Sequence, residues 1–187
     1  MNIGFAMCGS LCTFGSVFPV METISKKHTL IPILSQAAGA IDSRFGPAAE
    51  HIETITNICG RPPLSTIEDV EPIGPKKLLD ALIIAPCTGN TLAKLACGIT
   101  DTAVCMAAKA HLRSDRPLLI ALASNDAISQ NLRNLAALRV RHGVHFVPME
   151  QDDPIGKPHS LVACFERIPE ALEALLQGKM PHEKVFL

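Results

Sequence analysis

"ALIIAPCTGNTLAKLACGITD", residues 81–101, passes from five apolar residues into a proline and a group of small and polar ones. "ALIIA" at 81–85 is a continuous apolar run, the pattern of a strand buried on both faces of a parallel sheet. Helices are expected at about 90–97 and 102–112. A plain strand-to-helix turn has no need of "PCTGNT". Thr88 or Asn90 can cap a helix that starts near Thr91. Gly89 admits a close approach to the backbone, Pro86 fixes the exit from the strand, and Asn90 can donate and accept at the edge of a heterocycle. Taken alone, an ordinary capped turn also explains the stretch.

The same alternation extends outward. "NIGFAMC" (2–8), "TLIPIL" (29–34), "PLLIALA" (117–123) and "VHFVP" (144–148) read as strands, the last being the final clear one. Between them, "TFGSVFPVMETISKK" (13–27) has helical spacing with an awkward interior Pro19, and "PAAEHIETITNI" (47–58) opens with Pro47 at a first helical position. The proline-rich stretch 60–75 reads as loop with one helical turn. "DAISQNLRNLAALRVR" (126–141) reads as an amphipathic helix with Ile128, Leu132, Leu135 and Leu138 on one face. "IPEALEALLQG" (168–178) closes the chain as a helix ended by Gly178. Strands alternating with helices predict an α/β chain: a three-layer α/β/α sandwich around a Rossmann-like or flavodoxin-like parallel sheet, one domain over 1–187.

Composition narrows the function. The chain has 187 residues, 48% hydrophobic and 19% charged, with a net charge of −1. That balance fits a globular domain and gives no pull toward nucleic acid or an anionic membrane. No run reaches the roughly 20 apolar residues of a membrane span. Met1–Cys8 lacks the basic start and cleavage site of a secretory signal, so a cytoplasmic protein is expected. The seven cysteines lack zinc-ligand or thioredoxin spacing and are read as reduced thiols, with no metal site. "HGVH", with His142 and His145, reads as a loop entering a strand.

In such a fold, ligands bind beyond the carboxyl ends of the strands. The segments there are "CGSLCTFG" (8–15), "SQAAGAIDSRFG" (35–46), "PCTGNT" (86–91), "SND" (124–126) and "MEQDDPIGKPHS" (149–160). Each is rich in small, hydroxyl or amide groups. The first is not a GxGxxG loop. The end of the second strand carries Ser35 and Gln36 where a dinucleotide site places an acid for the ribose. This argues against NAD on this chain and leaves two readings of Ser10 and Thr13: they help hold a mononucleotide phosphate, or they cap the first helix.

The combination of motifs is more specific. "APCTGNTLAKLACGITD" resembles the AP-x-(S/T)-x-N-T-x-AK-x-A-x-G-x-x-D signature of the flavoprotein family that includes the homo-oligomeric flavin-containing cysteine decarboxylases, and "GSLCTFGSV" resembles its first phosphate loop. A closer likeness, through "DSRFGPAAE", "ASNDAISQN" and "FVPMEQDDPIGKPHSLVA", is to the branch that forms one subunit of a synthase of pyridine-2,6-dicarboxylate in spore-forming bacteria. The resemblance implies FMN bound between subunits of a trimer or dodecamer. It places Gly9, Ser10, Cys12 and Thr13 at the flavin or its phosphate, Ser35 at the phosphate, and Pro86, Cys87, Thr88, Gly89, Asn90 and Thr91 along the ring and ribityl chain. It places Asn125 at the substrate. It also implies a second subunit with its own dinucleotide-binding domain, carrying NADP or NAD.

Two departures bear on the chemistry. The decarboxylases have a catalytic histidine eight residues before the aspartate matching Asp80. That position here is Pro72. Their PxMNxxMW substrate clamp is replaced by "LASNDAIS", in which only Asn125 survives. A dicarboxylate substrate calls for cations, and Arg44 and Lys157 are the candidates, ahead of Lys76, Lys77, Lys109 and Arg113. Three readings stand: one component of an oxidoreductase that acts on a dihydro precursor of the aromatic dicarboxylate, a flavin-dependent decarboxylase or flavin-modifying transferase, and a structural subunit that has lost the flavin.

Overall fold

The computed structural model describes residues 1–179, so the end of the expected 1–187 domain lies outside the described residues. Four apolar strands form the main parallel run of the sheet: β1 (Asn2–Met7), β2 (Thr29–Leu34), β3 (Ala81–Cys87) and β4 (Leu118–Ser124). They pair in parallel in the order β2-β1-β3-β4. Every residue of β3 and β4 is buried, as the unbroken apolar runs require. Pro32 is tolerated because β2 lies at the edge, where the Leu64 segment exchanges backbone hydrogen bonds with it.

Helices α1 (Phe14–Ser25), α2 (Gln36–Ala40), α3 (Ala48–Cys59), α4 (Ile67–Val70), α5 (Gly89–Ala96), α6 (Ala103–Leu112), α7 (Leu132–Arg139) and α8 (Ile168–Leu176) fill the connections. The crossover through α1 leads from β1 to β2, and that through α5 and α6 leads the opposite way, from β3 to β4. Right-handed crossovers in opposite directions put these helices on opposite faces, giving the α/β/α sandwich. Accordingly α1 packs with α8, while α6 packs with α4 and α5.

Several boundaries differ from the sequence reading. Helix α1 runs through Pro19, whose missing N–H would have reached only Gly15 in the first turn. Pro47 is the residue before α3 rather than its first, and Asp42 Oδ1 accepts from the Ala48 N–H at 2.9 Å instead. The short helix in 60–75 is α4, opened by a Thr66/Asp69 capping box. Strand β3 continues past Ala85, across a register shift that contains Pro86.

The larger corrections lie after β4. The expected helix over 126–141 begins only at Leu132. Asp126 accepts hydrogen bonds from Ser124 and Asn131, folding the intervening residues into turns. The last expected strand is β5 (Val144–Phe146), parallel to the start of β4. Two more strands follow, β6 (Met149–Glu150) and β7 (Leu161–Ala163), and β7 runs antiparallel to the end of β4. One side of β4 is thus shared: β5 covers its first half and β7 its second. The sheet is mixed but mainly parallel, and the short hairpin carries the 151–160 loop to the carboxyl end of β4.

Helix α6 is held to β4 by His111, only 1% exposed, whose Nε2–H donates to the Pro117 carbonyl at 3.0 Å. Burial, reinforced by the Arg116 charge, pushes this imidazole below its usual pKa. The unfolded chain therefore takes up a proton below about pH 6.5 that the folded chain resists, and stability falls as the pH falls. His145 is shifted down by burial as well and adds to the same trend. Melting temperatures measured from pH 7 to 5 should decline, and His111→Gln, which keeps an N–H donor but cannot titrate, should decline less steeply. Equal slopes would remove His111 as a source of the acid sensitivity.

Candidate functional site

Beyond the carboxyl ends of β1, β3 and β4 lies a cavity of about 830 Å³, within the range of small-molecule and cofactor sites. Four segments wall it: 9–13 after β1, 88–90 after β3, 123–126 at the end of β4, and the hairpin loop through Asp152, Lys157 and Ser160. Ser43 and Phe45 form part of the rim.

The turn after β1 removes the capping reading left open by the sequence. Neither Ser10 nor Thr13 caps a helix through its side chain. The Thr13 hydroxyl donates to the Ser10 carbonyl at 2.8 Å, and Ser10 Oγ lies 3.8 Å from Cys12 Sγ. No side chain caps the first helix, and the Ser10 and Thr13 N–H groups donate to the Cys8 and Ser10 carbonyls at 2.9 and 3.0 Å. Gly9 is small for a different reason from ligand approach: a Cβ there would come within 2.8 Å of the Ala37 Cβ.

After β3 the cap reading holds. Thr88 Oγ1 accepts from the Thr91 N–H at 3.4 Å and begins α5. The Thr88 hydroxyl donates to Thr91 Oγ1, and the Thr91 hydroxyl donates to Cys8 Sγ at 3.2 Å, tying the ends of β1 and β3 together. Burial pushes the Cys8 thiol up to about 11 and the Cys87 thiol well above its ordinary value. Both are protonated and inert as nucleophiles. Cys12 is the exposed thiol on the cavity wall.

The structure brings Gly9, Ser10, Cys12, Thr13, Thr88, Gly89, Asn90, Asn125 and Lys157 to the cavity wall. Five expected residues are not on it. Pro86, Cys87 and Thr91 are buried in the strand and helix beneath. Ser35 caps α2 by accepting from the Ala38 N–H at 3.2 Å. Arg44 lies between two rim residues, its guanidinium 4.8 Å above the Phe45 ring.

Sequence reading did not single out Asp126, Asn131, Asp152 and Ser160. Ser124 Oγ donates to Asp126 Oδ1 at 2.5 Å and Asn131 Nδ2 donates to the same oxygen at 2.9 Å. A Cβ on Gly89 would fall 2.5 Å from Ser124 Oγ, 2.6 Å from Asn131 Nδ2 and 2.9 Å from Asp126 Oδ1. This polar group, rather than a ligand, requires glycine at 89. The Ser124 hydroxyl first, with help from Asn131, holds the Asp126 carboxyl below the usual carboxylate range. Lys157 Nζ contacts Asp152 Oδ2 at 2.8 Å, which lowers the Asp152 carboxyl and raises the Lys157 ammonium. The wall therefore carries two carboxylates and one ammonium, and that ammonium is already paired. The dense Asn/Asp content of "SNDAISQN" was the available signal for a turn with polar side chains.

Among the described residues, no group of His, Cys, Asp and Glu is placed to hold a metal ion, and no helix is long and apolar enough to cross a membrane.

Comparison with known proteins adds to this geometry. The B subunit of dipicolinate synthase from Bacillus subtilis (strain 168) is 39% identical over 176 residues, covering 94% of this chain and 88% of that protein. The crystal structure of the dipicolinate synthase B subunit from Bacillus halodurans C superposes with a TM-score of 0.89 at 37% identity, covering 100% of this chain and 95% of that one. An FMN-dependent cysteine decarboxylase, SpaF, shares the fold at a TM-score of 0.71 and 22% identity, over 95% of this chain and 96% of that one. The Flavoprotein family profile matches residues 1–175, and the chain belongs to that family.

Proposed function

We propose that this chain is the flavin-holding component of a dipicolinate-forming enzyme, working with the A subunit of dipicolinate synthase to oxidise a dihydrodipicolinate to pyridine-2,6-dicarboxylate during sporulation in the mother-cell cytoplasm. The observation that carries the reading is the uncapped turn 9–13 opening into a hydroxyl- and amide-lined cavity, in a chain similar along nearly its whole length to the dipicolinate synthase B subunit.

The residues present fit FMN. The hydroxyls of Ser10 and Thr13 suit its phosphate, and Thr88, Gly89 and Asn90 offer small groups and an amide to a flat ring. Bound there, the flavin would supply a two-electron acceptor, with NADP or NAD on the A subunit as the exchanging carrier. The chain's own part is to position the substrate and exclude water. Asn125 can donate to a carboxylate through its amide. Lys157 reaches an anion by exchanging Asp152 for it, and Arg44 by leaving the Phe45 ring. The FMN site is taken to lie between copies in a trimer or dodecamer, which would bring further side chains to this open wall.

Pro72 weakens a decarboxylase reading. It lies in the Glu71–Ile73 turn, away from the cavity wall, and has no titratable group.

Reconstitution tests the proposal. The A subunit, supplied with a dihydrodipicolinate and a nicotinamide acceptor, should form dipicolinate faster with this chain present. Equal rates with and without it would refute the catalytic role. Arg44→Ala should raise KM for the dihydro precursor about tenfold to a hundredfold with assembly unchanged, since a hydrogen bond to a charged group is worth about 1.5–3 kcal/mol. An unchanged KM would take Arg44 out of the site.

A further inference from the structure

Asp126 has no part in the reading above, yet its placement is among the most constrained on the cavity wall. Its Oδ1 is fixed by two donors, the Ser124 hydroxyl at the end of β4 and the Asn131 amide at the start of α7. Asn131 is only 6% exposed and is held in turn, its Oδ1 accepting from Asn134 Nδ2 at 2.9 Å. Among the described residues, no other residue donates to Asp126 Oδ2. One carboxylate oxygen thus serves the fold, while the other has no donor among the described residues, on a side chain that lines the cavity.

Three physical consequences follow. The carboxylate is ionised at neutral pH, because the Ser124 and Asn131 donors favour its charged form. It stands against Gly89, the first residue of α5, so it matches the positive end of that helix and leaves little of it for a ligand's anion. Among the described residues, no free cation shares the wall, because Lys157 is engaged by Asp152. An anion brought to this side meets the Asp126 carboxylate with no free cation beside it, whereas an N–H meets an acceptor already in position. The uncapped turn 9–13 follows β1. Strand β3 lies between β1 and β4, so that turn is about 10 Å, two strand spacings, from the end of β4.

We propose that Asp126 decides which way round a heterocyclic ligand lies in the cavity. Its Oδ2 accepts a hydrogen bond from a ring N–H and directs phosphate or carboxylate groups to the turn at 9–13. This rests on the flavin reading. For FMN the donor is the imide N3–H between the two ring carbonyls, which is flanked by no other donor.

The test compares the binding of FMN and 3-methyl-FMN to the wild-type chain and to Asp126→Asn. Asparagine keeps an oxygen for the Ser124 and Asn131 donors and replaces the free oxygen with an amide, so the local structure is retained. Wild-type protein should prefer FMN about tenfold to a hundredfold, the worth of one hydrogen bond to a charged group. Asp126→Asn should weaken FMN by a similar factor and bind the two flavins alike. A preference that persists in Asp126→Asn would mean that the methyl group is excluded by size, and would overturn the proposal. Equal binding of both flavins by wild-type protein would overturn it without need of the variant and leave the flavin reading standing. Binding of neither flavin would overturn both.

Discussion

The chain leaves β1 toward β2 and leaves β3 toward β4, so the turns above these two neighbouring strands diverge. The cavity is the gap between them, and it exists because the strand order changes direction there. The two strand ends are then tied across the gap by the chain of hydroxyls from Thr88 through Thr91 to Cys8, and by the Cys8 N–H donating to the Pro86 carbonyl at 3.1 Å. The start of the turn 9–13 is fixed by this tie rather than by a capping side chain. The register of β1 against β3 thus sets both the width of the site and the chemistry of its floor.

Charge is distributed unevenly around that gap. On the side of β1 there are hydroxyls and a thiol. On the side of β4 there is an ionised carboxylate seated against the first residue of α5. The hairpin β6–β7 adds a lysine already matched by an aspartate. Such a wall favours a ligand that is anionic at one end and carries N–H donors at the other, and a flavin mononucleotide is such a ligand. A free dicarboxylate fits less well against this chain alone. That is consistent with a substrate that needs Arg44, a neighbouring copy or a second protein to balance it.

Most of the fold is legible in the sequence because buried parallel strands leave continuous apolar runs, and "NIGFAM", "ALIIA" and "PLLIALA" have few other uses. The helix over 126–141 reads as too long because Ile128 stands at helical spacing ahead of Leu132, Leu135 and Leu138. The turn before it is set by Asp126 bonding to two side chains, which periodicity does not record. Strands β6 and β7 escape notice because two or three residues are too few to show alternation. The site divides in the same way. Residues named from the strand-end rule reach the wall where they follow a strand directly, as Ser10, Thr13, Thr88 and Asn125 do. Pro86, Cys87 and Thr91 do not, because β3 extends to Cys87 and α5 begins at Gly89, which puts them inside the elements. Gly89 is marked as special by the sequence, but the group that needs the space comes from β4 and α7, and only the packed structure shows that.

A flavin mononucleotide in this cavity, with its phosphate at the turn after β1, is the claim on which the functional reading turns. The chain has no Trp and no Tyr, so flavin absorbance and emission can be followed with almost no protein signal beneath them. The most direct measurement is a titration of the dialysed protein with FMN and, separately, with riboflavin, which has the same ring system and no phosphate. FMN should give a saturable change in flavin emission and a raised melting temperature, and riboflavin should bind clearly more weakly. Equal affinity for the two would contradict the placement of the phosphate, and no response to either would contradict the flavin site itself.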